Sequence, residues 1–178
     1  MTDPIRKRAK PDVRSGRPGR TTRQSIAGKE QAFFDRHLAY SIMVLANLIS
    51  RNTSRRTLAG TPLKINDWRV LRLTQMFGPL CAIDVINLLG LDKTTTSRAI
   101  GRLDELDLVE LAPNPDDRRQ TLISLTAKGR AMYDHVAPRD RASDSSFQRV
   151  LTAAELRRFH LLMGKLRRHA QQLLDKSE

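Results

Sequence analysis

The run Gly90-Leu91-Asp92-Lys93-Thr94-Thr95-Thr96-Ser97-Arg98-Ala99-Ile100-Gly101-Arg102-Leu103 constrains this chain more than any other stretch. Gly90 follows the apolar segment Ile83 to Leu89 and can take the left-handed conformation that ends a helix. Asp92 is a good N-cap for the next one. Thr96, Ile100 and Leu103 then fall on one face at helical spacing, with Ala99 and Leu106 beside them. The opposite face carries Thr94, Thr95, Ser97, Arg98 and Arg102. Short hydroxyls at a helix start, followed one turn later by arginine, suit contacts to phosphates and base edges in a major groove. A solvated Thr/Ser/Arg face on an ordinary amphipathic helix would give the same pattern, so the neighbouring elements must decide.

Those elements are mostly helical. Residues 31–51 repeat Phe34, Leu38, Ile42, Leu45 and Leu48 at three or four residues, with further apolar side chains broadening the stripe. The basic run Arg51 to Arg56 is expected to leave this helix toward a Gly-Thr-Pro loop. Asn66 is expected to cap a helix over 67–77, broken by Gly78-Pro79, and 81–89 reads as a third helix. After the opening stretch, 108–111 and 120–125 alternate as short strands around Asn114-Pro115-Asp116-Asp117, a turn sequence. Thr126 caps another helix, which Pro138 is expected to interrupt. Thr152-x-x-Glu155 is a capping box opening a last helix to about residue 174. In it Leu156, Phe159, Met163, Leu166, Ala170 and Leu173 form a seam of the kind that joins helices between chains.

Charge supports a polyanionic partner. The chain has 32 Lys+Arg against 19 Asp+Glu, a formal net charge of +13. Residues 1–29 hold nine basic and two acidic residues with few large apolar ones, and read as a disordered basic arm. No apolar run approaches a membrane span, and the basic start lacks the apolar core of a secretory signal, so a cytoplasmic protein without membrane contact is expected.

An enzyme is not indicated. The single cysteine, Cys81, has no patterned base partner and begins an apolar helix. His37, His135, His160 and His169 show no metal-ligand spacing, and no glycine motif cradles phosphate. Neither a metal nor another cofactor is expected.

The order helix–helix–turn–helix–hairpin is that of a winged helix-turn-helix. Residues 63–129 resemble the MarR family of bacterial transcription regulators. The resemblance rests on Asp67-Trp68-Arg69-Val70-Leu71, the 90–103 run, Asp116-Asp117-Arg118-Arg119 and Ile123-Ser124-Leu125-Thr126-Ala127-Lys128-Gly129. It implies a mainly α fold: a winged helix over 63–125 with a two-stranded β-wing, between dimerisation helices over 31–56 and 126–174. The whole domain would span 30–174, and only the arm lies outside the match. The resemblance also implies a homodimer on palindromic double-stranded DNA, usually a repressor, released by a small aromatic carboxylate or phenolic effector.

Residue by residue, Lys93, Thr94, Thr95, Ser97, Arg98 and Arg102 match the family's groove-facing positions. Asp117 and Arg119 match a wing pair in which the aspartate orients an arginine for the minor groove, with Arg118 directed at phosphate. His37, Trp68 and Arg72 are candidates for the effector site, although Trp68 reads first as a core residue. Asp107 stands where many members have glycine, and Asn114 where aspartate is common; Asp107 can still take the left-handed conformation. Residues 92–119 carry five basic and seven acidic side chains, so affinity would draw on Arg51, Arg55, Arg56, Lys64, Arg69 and the arm. A ligand-independent architectural DNA-binding protein is the alternative.

Overall fold

The computed structural model describes residues 29–176 except 31, 32 and 35. The basic arm lies outside the described residues. The chain falls into two units, residues 1–47 and 48–178.

In the first unit the described residues are helical around His37, which separates a preceding turn from α1, Leu38–Asn52. The break is bridged locally. His37 Nδ1 donates to the Phe33 carbonyl at 2.7 Å, and the Ser41 hydroxyl donates to that of Phe34 at 2.8 Å. α1 buries none of its residues within the chain.

The second unit begins with the end of α1. Instead of leaving into a loop, the basic run continues as a π-turn, Thr53–Thr57, in which the Leu58 amide reaches back to the Thr53 carbonyl at 3.0 Å. Thr53, Thr57 and Leu58 are buried, and that burial holds the turn helical. α2 follows at Ile65–Phe77, two residues earlier than expected. Its cap is Lys64 rather than Asn66, because Asp67 at the third helical position accepts from the Lys64 amide at 2.8 Å.

Leu80–Cys81 form a two-residue strand, β1, where a helix start was expected. α3 is therefore Ala82–Leu89, capped by Cys81. α4 is Lys93–Glu105. The wing consists of β2, Val109–Pro113, and β3, Thr121–Leu125. All pairings are antiparallel in the order β1-β3-β2, with Leu80 opposite Ile123 and Val109 opposite Leu125. The sheet thus has three strands; β1 is too short to show a period and is fixed by its partner.

α5 is a single helix, Ala127–Gln148, continuous through Pro138. Val136 and Ala137 are buried on one side while Pro138 faces solvent, so packing outweighs the missing backbone donor. α6, Ala153–Asp175, opens on the expected Thr152–Glu155 capping box. One apolar core joins α2, α3, α4, α5 and the sheet through Val70, Leu71, Val85, Leu103, Ile123 and Val136. No described helix is long and apolar enough to cross a membrane.

Candidate nucleic-acid interface

The helix-turn-helix is built as its residue types require. Gly90 has φ 63° and ψ 31°, left-handed, and its amide closes α3 on the Ile86 carbonyl. Asp92 caps α4: one carboxylate oxygen accepts from the Thr95 amide at 2.8 Å, the other from the Thr95 hydroxyl at 2.6 Å. The hydroxyl bond and then the amide bond hold the Asp92 carboxyl below its ordinary 3.8. Thr96, Ala99, Ile100 and Leu103 are buried, which seats the inner face of α4.

The outer face then presents Lys93, Thr94, Ser97 and Arg98, all exposed. Gly101 continues the same stripe, and a Cβ there would meet nothing within 4 Å. It leaves a bare backbone patch between Arg98 and the end of the helix. Thr95 is half-buried with its hydroxyl committed to Asp92.

Arg102 departs from the expectation. Its Nε donates to Asp67 at 3.0 Å, and a terminal nitrogen donates to the Pro62 carbonyl at 3.1 Å. Asp67 is 2% exposed and serves two donors, the Lys64 amide and Arg102. Arg102 therefore ties α4 to the start of α2 instead of standing free on the outer face. The reason is the buried carboxylate, which needs a cation more than the surface does. Asp67 was seen in the sequence only as part of the family pattern. Its capping position, three residues after Lys64, was the available signal.

The wing also differs in detail. Asp117 does not pair with the Arg119 guanidinium. Its two oxygens accept from the Arg119 amide at 3.0 Å and from the Gln120 side chain at 2.9 Å. The aspartate shapes the loop main chain, because both oxygens are already used within the turn. Arg118 and Arg119 are exposed at the tip. Arg119 and Ile100 border one cleft with Cys81 and Ile123, so the wing base and α4 meet. Asp107, at φ 58°, makes the turn between α4 and the wing as expected.

The effector candidates separate. Trp68 is 2% exposed and stacks on Tyr133 with ring centroids 5.6 Å apart. Both Trp68 and Arg72 border a cleft of about 190 Å³ that also meets Ile49, Ile65, Arg69 and Phe147. Arg72 is ion-paired to Asp140 at 2.8 Å. Arg69 is held by Asn66 at 3.0 Å and Ser50 at 2.9 Å, so it is not the free phosphate contact expected of it. His37 belongs to the first unit, where its ring stacks on Phe33 at 4.3 Å. Cys81 is buried, with the Asn114 side-chain amide 3.6 Å from its sulfur. No group of three or more potential metal ligands occurs among the described residues.

Comparison with known proteins adds a lineage to this geometry. Residues 61–120 match the model of the MarR family. The HTH-type transcriptional repressor NicR of Pseudomonas putida is 32% identical over 78 residues, which are 44% of this chain and 49% of that repressor. The chain thus spans about half of that relative's length. A MarR/EmrR-family transcriptional regulator from Acinetobacter superposes with a TM-score of 0.73 at 24% identity, over 78% of this chain and 98% of that one. Bordetella bronchiseptica BpsR, whose DNA binding is regulated by 6-hydroxynicotinic acid, superposes with a TM-score of 0.66 at 23% identity, over 75% and 94%.

Proposed function

We propose that this chain, whose residues 61–120 match the model of the MarR family, acts as a homodimeric repressor of that family. It binds a palindromic operator and is released by a small aromatic acid. The observation that carries this reading is the outer face of α4, where Lys93, Thr94, Ser97 and Arg98 stand exposed on a rigidly capped helix. Arg98 is the base-reading candidate, Lys93 and the hydroxyls contact the backbone, and Arg118 and Arg119 reach the flanking minor groove or phosphate. Arg102 and Asp117 are positioning residues that fix α4 and the wing loop.

Dimerisation through the terminal helices is supported by apolar side chains that a single chain leaves exposed. They include Leu38, Met43 and Leu45 on α1, and Phe159, Leu161 and Leu162 on α6. For the effector, the cleft under Trp68 is smaller than the roughly 300–1,000 Å³ of drug-sized sites, which favours a one-ring compound. Its carboxylate would compete with Asp140 for Arg72, a bidentate partner for such a group. Nicotinic-acid-type compounds are the first to try, given the regulator from Bordetella.

A mobility-shift titration tests the reading. It compares DNA upstream of the chain's own gene with a scrambled duplex, at two salt concentrations, with and without aromatic carboxylates. Selective binding relieved by one acid is expected. Arg98→Ala should cost about 1–3 kcal/mol on the operator and little on the scrambled duplex, and Arg72→Ala should blunt release while sparing DNA binding. Equal, steeply salt-dependent binding to both duplexes, indifferent to every acid, would instead establish the architectural alternative.

A further inference from the structure

A second cleft, about 300 Å³, lies between the π-turn Thr53–Thr57 and the middle of α5. Asn52, Arg56, Thr57, Arg139, Ser143 and Ser146 border it, and among the described residues no carboxylate does. This is unlike the cleft under Trp68, where Asp140 answers Arg72. Arg139 is anchored by one terminal nitrogen, which donates to the Ala59 carbonyl at 2.9 Å. Its other terminal nitrogen is buried without a hydrogen-bond partner among the described residues, and so is the hydroxyl oxygen of Thr57, a residue 1% exposed. Ser143 accepts from the Asn52 side chain at 3.2 Å, which leaves its own proton to donate elsewhere. Ser146 is already spent on the Ser143 carbonyl at 2.6 Å. Arg56 is exposed at the rim.

The cleft therefore gathers two guanidinium groups and two hydroxyls with donating capacity and, among the described residues, no anionic acceptor. Buried donors are rarely left unmade, and a buried guanidinium least of all. The chemistry that satisfies all four is a group with several oxygens and a negative charge, which arginine meets with paired parallel hydrogen bonds. We propose that this cleft binds an oxyanion, the phosphate or carboxylate group of a small ligand. The volume leaves room for more than the anionic group alone. An occupant would clamp the π-turn to α5.

The test uses the full chain and two probes, sodium phosphate and sodium acetate, titrated calorimetrically against sodium chloride at matched ionic strength. Saturable binding of one probe per chain is expected. Phosphate alone marks a phosphorylated ligand, acetate alone a carboxylic acid, and both a general oxyanion site. Arg56→Gln, which loses no hydrogen bond to the described residues, should weaken binding about tenfold and leave the anion-free melting temperature unchanged. Arg139→Gln should weaken it further, whereas Arg72→Ala, in the other cleft, should not change it. The proposal is overturned if neither probe saturates above the chloride control, or if Arg56→Gln and Arg139→Gln bind as the parent does.

Discussion

Gly129 sits at the start of α5 directly against the main chain of Leu108, and a Cβ there would run into the Leu108 carbonyl. Backbone cannot rotate away as a side chain can, so Gly129→Ala should destabilise by about 2–3 kcal/mol, read as a lower denaturant midpoint at an unchanged slope. Asp67 has a comparable grip. Removing its carboxylate uncaps α2 and strands Arg102, which keeps a third of its side-chain exposure and can partly rehydrate. Asp67→Ala should therefore cost about 2 kcal/mol. Asp67→Asn, which retains an acceptor, should recover part of that loss. The sequence displayed both residues, but only as members of a family pattern. The Asp67 cap on Lys64 is local, but the contacts of Gly129 with Leu108 and of Asp67 with Arg102 span 21 and 35 positions, and local spacing carries no such information.

Elements whose causes are local were legible. Gly90, Asp92, Asp107, Thr126 and the Thr152–Glu155 box do in the structure what their residue types predict. Elements that depend on a distant partner were not. β1 is two residues recruited by β3, and the π-turn is stabilised by burial of Thr53 and Thr57. The expected interruption at Pro138 failed because tertiary packing overrides a propensity cost of about 3 kcal/mol. The cap of α4 gives an element-scale prediction with a definite sign. The Asp92 carboxyl lies below 3.8 in the folded state, so its contribution is complete above that pH and is lost as pH falls through the lowered value. Asp92→Ala should lower the melting temperature at neutral pH. The gap from the parent should close in acid below 3.8, as a thermal melt series from pH 6 to 2 would show.

At the scale of the molecule, burial is uneven. The winged region has its own core, while α1 and α6 bury no residue within one chain. If a second copy supplies that burial, stability is linked to concentration by mass action. The melting temperature should rise with protein concentration over two decades, and Phe159→Asp should abolish the rise. A melting temperature independent of concentration would argue against the dimer. The net charge of +13 gives association its electrostatic pull, but the reading face itself is nearly balanced. On the proposed reading, selectivity comes from where Arg98 and the wing arginines are held.

That places weight on α5. Its first turn is fastened to the wing: Thr126 donates to the Asp107 carbonyl at 2.8 Å, Arg130 to that of Leu125 at 2.7 Å, and Gly129 rests on Leu108. Some ten to twenty residues on, Asp140, Asp144 and Phe147 line the cleft beneath Trp68, and Arg139 and Ser143 line the anion cleft. If the two clefts are filled as proposed, the helix would act as a lever with its load at one end and both handles toward the other. At 1.5 Å per residue the arm is about 20–25 Å long, so a tilt of about 5° moves the wing by about 2 Å, enough to lift an arginine out of a groove. Pro138 lies between the load and the handles, and the lever transmits the tilt only because α5 runs unbroken through it.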